Sequence, residues 1–230
     1  MCGARRGGHS RIGGQPRHPD GGCGVHAHHG GLGIKLIVVD GLDGCGKDAH
    51  ADRIRKLLEK QGEKVTVFSH PSRRLFGRLS KRFLEGSGAM DRSFATLFFT
   101  MDVLASVRSY NRQKSGTVIF VRYLLGTAYL PESLALMGYR LFRRLLPFPE
   151  IALFIDIEPE VARRRIASRG HASEMFETPE RLRAIRRVAK SLLGEEWIIV
   201  NNSEDGEKPF KEVERILRER SVLWPAVGVS

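Results

Sequence analysis

Residues 38–50, VVDGLDGCGKDAH, carry the side chains best suited to binding a phosphorylated ligand. Gly41, Gly46 and Lys47 have the spacing of G-x-x-x-x-G-K-[ST], in which backbone N–H groups and a lysine surround the phosphates of a nucleotide. The last position of this pattern is a Ser or Thr whose hydroxyl binds Mg²⁺, but here it is Asp48. A carboxylate there repels a bound triphosphate unless a cation lies between them. The segment therefore predicts a nucleotide-phosphate site with an unusual metal position.

Two elements are predicted to hold this loop in place. The apolar run 34–39 predicts a buried strand, and residues 47–61 predict an amphipathic helix that ends at Gly62. This order points the positive end of the helix at the phosphates. Lys47 is expected to be exposed in the loop, without core contacts. The alternative is a glycine turn that joins a strand to a helix and binds no ligand.

The rest of the chain alternates short apolar runs with longer amphipathic segments. Strands without polar alternation, separated by helices, predict an α/β fold whose parallel sheet is covered by helices on both faces. The predicted strands are 65–68, 117–121, 151–157 and 196–200, and the predicted helices are 74–86, 93–113, 159–169, 179–193 and 208–220.

Residues 1–33 differ in composition from the rest of the chain. They contain 11 of the 25 glycines and five of the eight histidines, with scarcely any large apolar side chain. Such a segment cannot bury enough surface to offset the entropy lost on ordering, so we predict a disordered basic tail. A metal site formed by its cysteine and histidines is the alternative. The predicted domain spans 34–221, and 222–230 is predicted to be a C-terminal tail.

The composition of the 230-residue chain limits the classes of protein and partner. Its hydrophobic content of 41% and charged content of 28% are ordinary for a globular protein. No apolar run approaches the roughly 20 residues needed to span a bilayer, so no membrane partner is expected. The net charge of +12 favours polyanionic partners such as nucleotides. Three scattered cysteines are too few for a disulfide framework, which fits a cytoplasmic location.

Several segments occur in an order that is similar to one known family. These are GLDGCGKD, LFFTMD, VRY, LFIDIEPEVARRRIASRG and EMFE. Over residues 34–220 the chain resembles the thymidylate kinases. The resemblance implies a P-loop NTPase-type sheet with a small basic lid, and transfer of the γ-phosphoryl group of ATP to dTMP with Mg²⁺ as cofactor. It also allows a homodimer.

The resemblance implies a role for individual residues. Asp43 matches a loop carboxylate that faces the sugar and phosphate of the monophosphate. Phe99 matches a ring that stacks on thymine, and Arg122 matches an arginine that binds the acceptor phosphate. A core aromatic at position 99 and a solvated arginine at position 122 are the alternatives. The loop residues expected to bind ATP are Gly41, Leu42, Asp43, Gly44, Cys45, Gly46, Lys47 and Asp48.

The arginine-rich segment RRRIASRGHASEMFE resembles the lid of the family. Charge on the transferred phosphoryl group must be neutralised, often by an arginine that arrives when a lid closes. Arg165 and Arg169 are four residues apart and are our candidates for this role. A solvated basic helix is the alternative. The expected catalytic residues are thus Lys47, Arg122, Arg165 and Arg169.

Three positions depart from the family pattern. Asp48 replaces the metal-binding hydroxyl, Val121 replaces an aspartate before Arg122, and Val103 replaces an arginine that helps to hold the acceptor phosphate. Loss of a carboxylate at 121 and gain of one at 48 would conserve the local charge, so Asp48 is predicted to bind the metal. Arg73 and Arg74 are candidate substitutes for the arginine missing at position 103.

Three functions remain open from the sequence. The first is ATP-dependent phosphorylation of a nucleoside monophosphate, with dTMP as the favoured acceptor. The second is a nucleotide-binding regulatory protein with weak or no turnover, which the three departures favour. The third is a nucleic-acid-associated protein, which the basic charge alone supports and which we disfavour.

Overall fold

The computed structural model describes residues 33–85, 88–168, 178–204 and 206–223. The predicted disorder of residues 1–33 lies outside these ranges, apart from Gly33. The predicted catalytic role of Arg169 lies outside them as well, as does the segment EMFE.

A five-stranded parallel sheet forms the centre of the domain, in the order β2-β3-β1-β4-β5. Because all strands are parallel, their carboxyl ends meet at one edge, where α/β proteins bind their ligands. The predicted fold class, α/β with a P-loop-type parallel sheet, is confirmed. The strands are β1 (Ile34–Gly41), β2 (Val65–Ser69), β3 (Gly116–Val121), β4 (Ile151–Asp156) and β5 (Trp197–Asn201).

Within the described ranges, seven α-helices and one 3₁₀ helix connect the strands. They are α1 (Lys47–Lys60), α2 (Leu75–Leu84), α3 (Ala89–Tyr110), the 3₁₀ helix (Leu125–Tyr129), α4 (Glu132–Leu145), α5 (Pro159–Ala167), α6 (Pro179–Leu192) and α7 (Lys208–Glu219). The 3₁₀ helix and α4 were absent from the sequence-based prediction. Helix α5 ends two residues earlier than predicted.

The burial of each strand depends on its position in the sheet. The three inner strands are buried along most of their length, whereas the edge strands β2 and β5 are partly exposed, since each has a neighbour on only one side. Val222 and Leu223 are also buried in this core. The packed domain therefore continues past the predicted boundary at 221. Among the described helices, none combines the length and apolarity needed to cross a bilayer.

Candidate active site

The glycines of the phosphate loop are required by close packing around it. Gly44 and Gly46 have φ angles of 79° and 87°, which favour glycine. A Cβ on Gly44 would lie 2.6 Å from the carbonyl oxygen of Ala162 in α5, and a Cβ on Gly46 would lie 2.8 Å from Asn202 Nδ2. Asn202 Nδ2 also donates to the carbonyl oxygen of Cys45, at 2.7 Å. The loop is thus held between α5 and the residue that follows β5.

Lys47 is buried in this loop, so the expectation of an exposed lysine was wrong. Its Nζ donates to the carbonyl oxygen of Leu42 at 2.9 Å and lies 3.5 Å from Asp43 Oδ1. The lysine is buried because its ammonium group turns back to the loop, where Leu42 and Asp43 contact it. The N-cap residue of α1, Gly46, makes no side-chain capping bond, and the first turn of a helix favours the binding of an anion.

Asp43 links the loop to the residues that follow β3. Arg122 contacts both of its carboxylate oxygens, with Nη1 3.4 Å from Oδ2 and Nη2 close to Oδ1, and the Tyr129 hydroxyl donates to Oδ2 at 2.9 Å. Burial raises the pKa of Asp43, but the charges of Arg122 and Lys47 outweigh this effect and hold the pKa well below its usual range. Asp43 is therefore a buried carboxylate that stays ionised between two cations.

A cavity of about 50 Å³ adjoins this ion pair. Phe99, Arg122 and Tyr129 contribute to its lining. The Phe99 ring rests against Gly126, where a Cβ would lie 2.6 Å from Phe99 Cε1. The structure therefore brings the three predicted acceptor residues together, since Phe99 and Arg122 line one cavity and Asp43 contacts Arg122. Ligand pockets usually measure roughly 300–1,000 Å³, so a nucleotide can enter only if these side chains move apart.

Asp40, which the sequence reading missed, fixes the segment that carries Arg122 and Tyr129. Its buried carboxylate accepts hydrogen bonds from the N–H groups of Tyr123 at 3.1 Å and Leu125 at 3.0 Å. Burial raises the pKa of Asp40, and these hydrogen bonds only partly oppose that effect. Arg122 itself has a φ of 57°, a sparsely populated conformation for a non-glycine residue. Such conformations persist where the surroundings over-determine them, often at functional sites.

Asp48 is exposed in the first turn of α1, at the same edge of the sheet. Its Oδ1 accepts a hydrogen bond of 2.9 Å from the hydroxyl of Ser69, the last residue of β2. Ser69 is in register with Val121, the last residue of β3. Residues in register on neighbouring parallel strands carry their side chains on the same face of the sheet. Ser69 is therefore a neighbour of both position 48 and position 121, and the exchange of carboxylates between these two positions stays a prediction.

Arg165 approaches the loop from α5. Its Nη1 donates to the carbonyl oxygen of Asn202 at 3.0 Å, and the side chain of Asn202 binds the loop carbonyl of Cys45. Asn202 thus bridges Arg165 and the phosphate loop, since it contacts both.

The missing arginine at position 103 has no direct replacement in α3. Val103 is fully buried in the core. Arg74 forms an ion pair with the buried carboxylate of Asp102, at 3.1 Å, and is held against α3. Arg73 is exposed and lines a separate cavity of about 460 Å³ beside β2. Arg74 is exposed as well and lines the same cavity, so both candidate substitutes face it.

A glycine loop between a buried strand and a helix, beside a cavity at the carboxyl edge of a parallel sheet, defines the class of P-loop phosphotransferases. The family model for thymidylate kinase matches residues 39–215, and the chain belongs to that family. It is a kinase, and the general reaction that follows is phosphorylation of a nucleoside monophosphate.

Individual relatives agree with this assignment. A protein of Archaeoglobus fulgidus that carries the thymidylate kinase name is 30% identical over 80% of this chain and 93% of its own. A thymidylate kinase of Leptospira borgpetersenii is 24% identical over 72% of this chain and 84% of its own. The solved thymidylate kinase of Candida albicans shares the fold, with a TM-score of 0.64 at 18% identity over 81% of this chain and 92% of its own.

Proposed function

We propose that this protein transfers the γ-phosphoryl group of ATP to dTMP and releases ADP and dTDP. The observation that supports this most strongly is the contact between Arg122 and Asp43. Arg122 lines the cavity that contains Phe99, and Asp43 belongs to the phosphate loop. One ion pair thus joins an acceptor cavity to a donor loop, which is the proximity that phosphoryl transfer needs.

The donor phosphates bind at the glycine loop in this proposal. The N–H groups at the start of α1 and the Lys47 ammonium group supply positive charge, in a loop that side chains larger than glycine would disrupt. Lys47 exchanges its bond to the carbonyl oxygen of Leu42 for a phosphate oxygen. The attraction of Asp43 limits how far the ammonium group can move, because Asp43 Oδ1 lies 3.5 Å from Lys47 Nζ.

The residues at the metal position fit a hard cation. Asp48 offers an exposed carboxylate and Ser69 a hydroxyl within hydrogen-bond distance of it, and Mg²⁺ prefers oxygen ligands of both kinds. When bound, Mg²⁺ supplies positive charge that neutralises the β- and γ-phosphates. We infer that Asp48 replaces both the missing hydroxyl and the carboxylate missing at position 121.

The acceptor occupies the cavity beside Arg122 in this proposal. Phe99 stacks on the thymine ring, and Arg122 binds the 5′-phosphate while Asp43 keeps the guanidinium group in place. An oxygen of that phosphate attacks the γ-phosphorus, and the bond to the β–γ bridging oxygen breaks. Arg165 and Arg169 neutralise the charge that develops on the transferred group.

The test is release of ADP from ATP and Mg²⁺ across a panel of nucleoside monophosphates. We expect turnover with dTMP at about 1 s⁻¹ or above, the low end of ordinary enzyme rates. Lys47→Met keeps the length of the buried side chain but removes its charge, and should abolish ADP release. Lys60→Met, at the exposed far end of the same helix, is the matched control and should retain it.

A regulatory nucleotide-binding protein on the same fold is the second candidate. The observation in its favour is that Val103 and Val121 are both fully enclosed in the core, at positions where the family pattern has charged side chains. Calorimetric binding of ATP without ADP release for any monophosphate would support this candidate and reject the first.

We also propose a homodimer that pairs along α3. Five large apolar side chains are exposed on this helix at heptad-like spacing, which is the pattern of a helix-pairing seam. They form what we call the α3 stripe: Met90, Phe94, Leu97, Met101 and Leu104. Analytical ultracentrifugation should give a dimer for the native chain and a monomer for the double variant Leu97→Gln, Met101→Gln. A native monomer would reject this interface.

A further inference from the structure

Helix α4 and the turn after it expose a second apolar surface. Within it, Met137 and Leu145 are 64% and 67% exposed, although the opposite face of the helix is buried through Ala135 and Tyr139. Spacings of three and four residues place these side chains in one row along the helix. The α4 stripe, as we call this surface, consists of the helical row Leu134, Met137, Leu141 and Leu145, together with Phe148 in the turn after the helix.

Two exposed arginines lie directly beside the apolar side chains of the α4 stripe. Arg140 and Arg144 are exposed, lie one turn apart beside the α4 stripe, and have no carboxylate partner in the described part of the chain. Arg143 is different, because it pairs with Glu196 at 2.7 Å and its guanidinium group lies over the Phe148 ring. Thr96 and Thr100, directly before Leu97 and Met101 of the α3 stripe, carry no charge, whereas the exposed Arg108 follows Leu104 by one turn on the same face of α3.

We propose that the α4 stripe docks this protein on the surface of an anionic lipid bilayer. The interface of such a bilayer offers acyl chains to the apolar row and phosphate groups to Arg140 and Arg144. A nucleic acid offers phosphates but no comparable apolar region. A second copy of the chain offers an apolar row but places the same two arginines on both sides of a symmetric interface. A bilayer with anionic lipids complements both features of this surface.

The dimensions of α4 determine how it meets the bilayer. Its 14 residues extend about 21 Å, less than the roughly 30 Å of a hydrocarbon core, so it lies on the surface and does not span it. The sequence predicted no membrane partner, but that prediction rested on the absence of a spanning segment.

Docking through α4 keeps much of the stripe away from the phosphate loop. The helix starts after the 3₁₀ helix that carries Tyr129 and ends before β4, which begins at Ile151. In a parallel sheet, the start of a strand lies at the edge opposite the carboxyl ends where the loop sits. Leu145 and Phe148 therefore lie toward the far edge of the sheet.

The test is co-sedimentation of the full chain with lipid vesicles. The native protein should sediment with vesicles of phosphatidylcholine mixed with phosphatidylglycerol, and far less with phosphatidylcholine alone. The double variant Met137→Gln, Leu141→Gln should lower binding by roughly tenfold or more. The double variant Arg140→Gln, Arg144→Gln should also lower it by roughly tenfold or more at low salt, with a smaller effect at high salt.

Two matched controls remove apolar or basic side chains elsewhere. Leu75→Gln with Ile199→Gln removes two large apolar side chains that are exposed outside the α3 and α4 stripes. Arg108→Gln with Arg112→Gln removes two exposed arginines that are also four residues apart. Both controls should bind mixed vesicles within about twofold of the native chain, a difference worth only a few tenths of a kcal/mol.

Three results would overturn the proposal. The first is no sedimentation of the native chain with mixed vesicles. The second is equal loss of binding in the α4 variants and their matched controls, which would indicate nonspecific attraction. The third is binding that depends on Arg140 and Arg144 but not on Met137 and Leu141, which would indicate a polyanion such as nucleic acid. Equal melting temperatures of all variants establish that the differences do not come from unfolding.

Discussion

Replacing Arg122 by methionine should destabilise the protein as well as inactivate it. The change removes the main cation beside Asp43, whose side chain is only 10% exposed. At the 3.4 Å that separates Nη1 from Oδ2, the lost attraction is roughly 5 kcal/mol for an effective dielectric constant near 20. Tyr129 and Lys47 remain as partners of Asp43 and offset part of this loss. We expect the free energy of unfolding to fall by about 3 kcal/mol, at the low end for a broken buried ion pair.

Urea unfolding at pH 7 measures this change, and a double-mutant cycle isolates the pair. Asp43→Asn with Arg122→Met should cost less than the sum of the two single variants, by roughly 1–3 kcal/mol. Arg112→Met, at an exposed position, is the matched control and should change stability by less than about 0.5 kcal/mol. An Arg122→Met variant as stable as this control would refute the reasoning.

The pH dependence of stability provides a second readout of the same pair. The pKa of Asp43 is lower in the folded than in the unfolded protein, so its stabilising effect is present above the unfolded pKa, near 3.9, and is lost as the pH falls toward the folded pKa. Without Arg122, burial opposes ionisation more effectively and the folded pKa rises. The loss of stability between about pH 5 and pH 2 should therefore be smaller in Arg122→Met. Equal slopes in both proteins would contradict this assignment.

Three further predictions concern the lid, the metal position and the N-terminal segment. Arg165→Ala and Arg169→Ala should lower kcat more than they raise KM, and full kcat in both would reject the lid assignment. Asp48→Ser and Val121→Asp should each lower kcat/KM for ATP at limiting Mg²⁺, whereas the double variant should recover activity; additive effects would reject the exchange of carboxylates. Deletion of residues 1–33 should leave the melting temperature unchanged, because that sequence has scarcely any large apolar side chain, and a large decrease would contradict this.

The sequence predicted the sheet because local signals determine it. Apolar runs without polar alternation identified all five strands to within two residues, and the glycine pattern identified the phosphate loop. Helix α4 was missed although its sequence is amphipathic, with Ala135 and Tyr139 on its buried side and arginines on its exposed side.

The contacts within the site could not be read from the sequence, since they join distant residues. Tyr129 reaches Asp43 across 86 positions, and Asp40 binds the N–H group of Leu125 across 85. Neither residue belongs to a local motif that indicates its partner. The burial of Lys47 was missed for a similar reason, because it depends on how its ammonium group turns back to the loop. The types and order of the residues therefore predicted most of the candidate site residues. The contacts between those residues depend on the fold.

The most direct test of the central claim is ³¹P NMR of ATP, Mg²⁺ and dTMP mixed with the native protein or with Lys47→Met. We expect dTDP and ADP to appear in equal amounts with the native protein, and neither to appear with the variant. ADP with inorganic phosphate but no dTDP, or no reaction at all while ATP still binds, would contradict it.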